Sequence, residues 1–137
     1  MEASQFLGLD IGRKRIGVSR ASSLAMLAEP LTTISTAGSL EKLQELIKQH
    51  SVQTLVVGLP RNLGGEDTGQ TAWVRDWVDK AKEQIQLPFY WQDEALTSVV
   101  AEAEQYAHKK PRDVDALAAA IILQDFLDSP ETGRVPC

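Results

Sequence analysis

Apolar residues recur along the chain with two different periods, and the alternation between them lays out the elements. Residues 5–10 (Gln5-Phe6-Leu7-Gly8-Leu9-Asp10) and 15–20 read as two short strands. Ile11-Gly12-Arg13-Lys14 links them so tightly that a hairpin is predicted, with Gly12 free to take a positive φ. A third strand falls somewhere in 24–34. Ser39 stands where an N-cap belongs, and Leu43, Leu46 and Ile47 follow at helical spacing, which predicts a helix over 39–50. Residues 54–59 (Thr54-Leu55-Val56-Val57-Gly58-Leu59) are apolar on both faces, as suits a central strand covered by helices on either side. Pro60 should end that strand, because proline removes a ladder donor. The glycine-rich stretch 58–69 reads as a loop. A helix over 69–86 follows, with Val74, Val78, Ala81 and Ile85 in one stripe and Trp73 and Trp77 in the next, the indoles expected in the core or at a partner interface. Leu87 to Trp91 reads as the last strand, Pro88 marking an edge position or a strand start. Thr97 or Ser98 would cap a helix over 98–108. Ala116, Ala119, Ala120 and Leu123 favour close packing of a final helix over 113–127. The tail 129–137, with Pro130, Gly133 and Pro136, is expected to be disordered, leaving 1–128 as a single domain.

This order of elements predicts an α/β fold, a mixed five-stranded sheet with helices on both faces. In open sheets of that kind ligands collect at the carboxyl ends of strands. Asp10 and the pair Asp93-Glu94 each end an apolar run, and Asp115 opens the last helix, where an anionic side chain is favoured. Taken singly, each is an ordinary surface acid. Gathered by the fold, Asp10, Glu94 and Asp115 would supply the converging oxygens that a divalent metal needs. Asp113 could substitute for Asp115, but the two lie about 200° apart around a helix, so only one can face such a site.

Composition narrows the picture without changing it. At 137 residues, 43% hydrophobic and 24% charged, the chain is ordinary for a soluble globular domain. Its only cysteine, Cys137, excludes a disulfide scaffold and is compatible with a reduced, cytoplasmic setting. No run approaches bilayer length, and Met1-Glu2-Ala3-Ser4-Gln5 lacks a basic n-region, so an untargeted protein with no membrane role is expected. The net charge of −5 argues at first against a nucleic-acid partner. Local charge differs: Arg13-Lys14-Arg15 follows Asp10, and Lys109-Lys110-Pro111-Arg112 precedes Asp115. A fold that gathers the acids would bring Lys14, Arg15, Arg61, Lys109, Lys110 and Arg112 alongside as phosphate contacts, which give affinity without sequence choice.

Four motifs in order resemble the YqgF/RuvX family, described as Holliday-junction-resolvase-like proteins and pre-16S ribosomal RNA nucleases. They are Leu7-Gly8-Leu9-Asp10-Ile11-Gly12 with Lys14-Arg15-Ile16-Gly17-Val18; Val57-Gly58-Leu59-Pro60-Arg61-Asn62 with Gly65; Asp93-Glu94 with Leu96-Thr97-Ser98; and Val114-Asp115 with Ala118-Ala119 and Ile122-Leu123-Gln124. The resemblance covers roughly residues 5 to 128. It implies an RNase H-like fold in which Asp10, Glu94 and Asp115 are the catalytic carboxylates holding Mg²⁺ or Mn²⁺. The expected activity is metal-dependent hydrolysis of phosphodiesters at the 5′ end of pre-16S rRNA. Structured RNA would then be the partner, branched DNA the alternative, and the protein a monomer or weak homodimer. The chain departs from the family where an arginine usually follows the Asp-Glu pair, since Ala95 stands there, and in a shortened segment between Ala101 and Asp115. Loss of that arginine removes a phosphate clamp, which keeps open a non-catalytic member that binds nucleic acid only. The motif after Asp10 also resembles the first phosphate motif of actin-like ATPases, but those clamp nucleotide between two such domains and this chain supplies one. His50 and His108 end predicted helices and are not needed as ligands.

Overall fold

The computed structural model describes residues 3–95 and 114–137. The predicted helix over 98–108 and its Thr97 or Ser98 cap lie outside the described residues. Strands β1 (Gln5–Ile11), β2 (Arg15–Ser22) and β3 (Glu29–Ser35) precede helix α1 (Ser39–His50), strand β4 (Thr54–Arg61), helix α2 (Gly69–Gln84), strand β5 (Phe89–Ala95) and helix α3 (Val114–Asp128). A short 3₁₀ turn (Glu131–Gly133) then leads to β6 (Val135–Pro136). The sheet runs β3-β2-β1-β4-β5-β6. β4 lies parallel to both β1 and β5, and the other pairings are antiparallel.

Side-chain alternation divides the sheet cleanly. Leu7, Leu9 and Ile11 of β1, Ile16 and Val18 of β2, and Leu55 and Val57 of β4 point to one face, where they pack with Leu43 and Leu46 of α1 and Val74, Val78 and Ala81 of α2. Phe6, Ala21 and Val56 point to the other, against Ala118, Ile122, Leu123 and Phe126 of α3. The alanines of α3 let it lie close, and the sheet answers with small residues. A Cβ on Gly8 would come within 2.7 Å of Leu123 Cβ, and one on Gly58 within 2.5 Å of Ile122 Cδ1. Beside Gly8, on the neighbouring strand, the buried Ser19 hydroxyl donates to Ala119 O at 2.7 Å, tying the helix backbone to β2.

Several local expectations are corrected. The sheet has six strands rather than five. The segment after Ser129, expected to be disordered, turns back along β5, pairs Val135 with Trp91 and Pro136 with Tyr90, and donates Cys137 N to Phe89 O at 2.9 Å. Pro88 therefore precedes an interior strand. Gly38 in the left-handed region, not Ser39, is the α1 N-cap, and Ser39 is buried as the first helical residue. Gly12 is absent from the positive-φ glycines; its N–H donates to Arg15 O at 3.0 Å, and a Cβ there would press on that same carbonyl at 2.6 Å. Pro60 continues β4 rather than ending it, because it lies past Val57, the last β4 residue paired with β1. Its carbonyl accepts the Thr71 hydroxyl.

That last contact fixes the start of α2. Thr68 caps the helix, its N–H donating to Thr71 Oγ1 at 2.9 Å while its hydroxyl accepts from Thr71 N. Thr71 is fully buried, so its hydroxyl joins the cap to the end of β4 in a dry setting. Thr71→Val keeps the shape and strands two partners; a loss of about 2 kcal/mol is expected in urea denaturation. An unchanged midpoint would show that the cap does not anchor the helix.

Candidate active site

The carboxyl ends of β1, β4 and β5 open at one edge of the sheet, because these three strands are parallel. Alternation decides which side chains face α3 there. Leu9 and Ile11 occupy the α1/α2 side of β1, so Asp10 faces α3; Phe89 and Trp91 occupy that side of β5, so Glu94 faces α3 and Asp93 does not. Asp93 instead lies 3.5 Å from Arg61 Nη1. Glu94 and Asp10 thus share a face and an edge.

Gly17 brings in the other acid. It pairs directly with Asp10 across the hairpin. The first turn of α3 sits so tightly over it that any Cβ would collide with the Asp115 carbonyl. Asp115 is thereby set beside Asp10 although 105 positions separate them in sequence. Arg15, two residues before Gly17, holds the Asp115 carboxylate with Nε to Oδ2 at 2.9 Å.

Electrostatics register the closeness of the two acids. Part of Asp10 reaches solvent, yet its carboxyl lies deep among protein atoms. Burial first, and the Asp115 charge second, push its pKa from 3.8 up to about 6. Glu94 stands further off. Leu9 is level with Val57 and Val57 with Trp91, so Glu94 lies two residues beyond Asp10 along the sheet, with β4 between them. Two strand spacings of about 4.8 Å separate their backbones. Among the described residues no three His, Cys, Asp or Glu side chains form a group able to enclose a metal ion. The structure therefore brings Asp10 and Asp115 together and leaves Glu94 on the same face at a distance. Such a pair suits Mg²⁺, which commonly binds through one or two carboxylates, waters and substrate phosphates rather than an all-protein cage.

The basic residues divide. Lys14 is exposed at the hairpin tip. Arg15, read from sequence as a phosphate contact, is engaged with Asp115. Arg61 lies between two acids, with Asp67 Oδ1 3.1 Å from its Nε, near enough for an ion pair though not aligned as a hydrogen bond, and Asp93 beyond. Lys109, Lys110 and Arg112 lie outside the described residues. Arg13, read from sequence only as part of the basic run after Asp10, has its guanidinium 5.5 Å from the Trp73 ring centroid while its Nε donates to Gln70. Sequence reading passes over Arg75 and Arg134; neither carries a motif, and Arg134 sits in a segment that reads as disordered. Trp73 and Trp77 are partly buried against the core, as core packing requires.

The chain is similar to known proteins over nearly its whole length. The family model of RuvX, Holliday junction resolvase, matches residues 4–129. A protein of Roseiflexus sp. (strain RS-1) named "Putative pre-16S rRNA nuclease" is 40% identical over 136 residues, covering 93% of this chain and 96% of that protein. Proteins of the same name from Rippkaea orientalis and Moorella thermoacetica are 40% and 38% identical, covering 94% and 90% of this chain and 99% and 94% of theirs. Among solved structures, Thermus thermophilus RuvC in complex with a Holliday junction substrate superposes with a TM-score of 0.60 at 16% identity, covering 98% of this chain and 99% of RuvC. A second structure of that RuvC gives 0.57 at 15% identity. At such identity the likeness to RuvC is one of fold, the RNase H-like arrangement expected from the motifs.

Proposed function

From a chain that belongs to the RuvX family, we propose a nuclease that hydrolyses phosphodiester bonds with the help of a divalent metal, acting on precursor 16S rRNA in the cytoplasm. One observation supports this reading of the site: Gly17 seats Asp115 beside the half-buried Asp10 at the carboxyl edge of the sheet, on the face that Glu94 shares. Burial, and after it the charge of the neighbouring Asp115, raise the pKa of Asp10 to about 6.

Asp10 and Asp115 would hold Mg²⁺ or Mn²⁺, with Glu94 reaching from β5. A bound divalent ion supplies a water of lowered pKa and charge stabilisation for the leaving oxygen. The chain's own residues do the positioning. Arg15 fixes one oxygen of Asp115, its Nε 2.9 Å from Oδ2. Above about pH 6 Asp10 is ionised and can accept a cation or a proton. Lys14, exposed on the same hairpin, meets phosphate by charge alone.

The test is cleavage of a 5′-labelled precursor 16S fragment by the purified protein, with Mg²⁺ or Mn²⁺ and then with chelator. Site-specific cutting that falls at least about 100-fold on chelation is expected. A four-way DNA junction serves as the second substrate, because the family description names a Holliday junction resolvase. Cutting of the junction alone moves the substrate to branched DNA; failure to cut either rejects the nuclease.

A further inference from the structure

A cavity of about 410 Å³ opens at the outer edge of β5, separate from the acidic pair. Among the described residues β6 pairs only with Tyr90 and Trp91, so the strand continues past the end of its neighbour and leaves a gap there. Three arginines from three parts of the chain, Arg61 of β4, Arg75 of α2 and Arg134 of the C-terminal segment, line the gap with Asp93 as their one acidic companion in the wall. Asp67, just outside the wall, pairs with Arg61 and Arg75, so three guanidiniums face two carboxylates and a single positive charge is left over, in a protein whose net charge is −5.

Its arginines are not equally engaged. Arg61 is shared by Asp67 and Asp93. Arg75 reaches Asp67 only at 3.9 Å and lies 5.6 Å from the Trp91 ring centroid. Arg134 Cζ lies over the Phe126 ring, 4.4 Å from its centroid, and Arg134 forms no ion pair among the described residues. Its Nε is buried and has no hydrogen-bond partner among them. A guanidinium placed over a ring gives up none of its N–H donors to it, and a buried donor without a partner calls for one.

The cavity also communicates with the acidic edge. A smaller one of about 170 Å³, lined by Asn62 and Glu94, shares Arg61 and Asp93 with it. A strand lying across Glu94 would run over Arg61 into the larger cavity. Arg134, unpaired among the described residues, and the loosely held Arg75 select an anion, and the volume is in the range of small-ligand sites. A paired base cannot enter such a recess, because its faces are stacked within a duplex.

Resting on the nuclease reading above, we propose that the β5-edge cavity receives one phosphorylated nucleotide of the unpaired strand flanking the cleaved bond, its phosphate held by Arg134 and Arg75. The site would act as a register stop that distinguishes a single-stranded flank from a duplex one.

The test measures binding of a fluorescein-labelled 12-nucleotide single-stranded RNA, without divalent ions, to wild type, Arg134→Gln, Arg75→Gln and the control Lys48→Gln on α1. Each arginine variant is expected to bind about fivefold more weakly near 0.1 M salt, with a log–log salt slope shallower by about 0.7, the worth of one phosphate contact on a single strand. Lys48→Gln, and the binding of a 12-base-pair duplex RNA by any variant, should not change. Thermal melts confirm that each variant folds, and Arg75→Gln leaves the Arg134–Phe126 contact intact if Arg134→Gln does not fold. Unchanged affinity and slope in the arginine variants overturn the proposal, as does an equal loss for Lys48→Gln or for the duplex. A wild type that cuts precursor RNA while its arginine variants bind normally rejects the cavity alone. One that binds through Arg134 and cuts nothing keeps the cavity and rejects the nuclease.

Discussion

Asp10→Asn is expected to produce a protein that is more stable than the wild type at neutral pH and almost inactive. The two effects have one cause. The Asp10 carboxyl is raised to about 6, first by burial and then by the Asp115 charge, so the folded state binds its proton more tightly than the unfolded chain does. Stability from this group is greatest below the unfolded value of 3.8, declines as pH climbs to about 6, and stays at the lower level above that. A shift of about two units corresponds to at most about 3 kcal/mol, discounted because part of Asp10 reaches solvent. Asparagine has the same shape and no charge. Urea denaturation without divalent ions should therefore show the variant and wild type converging near pH 4 and separating, in favour of the variant, through pH 7. Mg²⁺ or Mn²⁺ should raise the wild-type midpoint and leave the variant's unmoved, since the cation offsets a repulsion that the variant lacks. Cleavage should fall by roughly 10³-fold, about 4 kcal/mol of barrier. A stability difference that does not vary with pH would refute the electrostatic account, and substantial residual cleavage would remove Asp10 from the site.

Much of this arrangement is legible in the order of residues alone, and the illegible parts have physical reasons. Period-two alternation in Phe6-Leu7-Gly8-Leu9-Asp10 already separates the side of Asp10 from the side of Leu9, and the 74/78/81/85 stripe of α2 is buried as its spacing predicts. The role of Arg15 is not legible, because its partner lies 100 residues away and local charge spacing carries no information about it. β6 escapes because two residues have no period to read, and Pro130, Gly133 and Pro136 resemble a frayed end. The same resemblance hides Arg134. Ser39 fails as a cap because Gly38 takes the left-handed conformation first. Convergence of the acids is legible in outline, but a register that leaves Glu94 two residues beyond Asp10 depends on how β4 lies between their strands.

Gly17 poses the sharpest structural test, since a single methyl group there should separate the acids by pressing on the Asp115 backbone while leaving both carboxylates chemically unchanged. Glycine inside a strand usually marks close approach of another backbone, and here the approaching atoms are the Asp115 carbonyl and the Ala116 nitrogen. Neither is a side chain that could rotate away. Both belong to the first turn of α3, whose remaining length is pinned by Ser19 and by the buried Ala119, Ile122 and Leu123. Gly17→Ala must lift that turn or bend β2, and overpacking of this kind typically costs about 1–3 kcal/mol. The functional loss should exceed the structural one. Displacing Asp115 by about 1 Å relative to Asp10 is enough for roughly a 100-fold loss of rate, while the Arg15–Asp115 ion pair is stretched at the same time. Relief of the Asp115 charge should also bring the Asp10 pKa partway down, with the portion due to burial unchanged, so the pH dependence of stability shrinks but persists. Gly69→Ala is the matched control, because a Cβ at that helix start meets nothing within 4 Å and alanine favours helix. Wild-type cleavage by Gly17→Ala, with Gly69→Ala equally active, would mean that Asp115 need not sit against the sheet for the reaction to proceed.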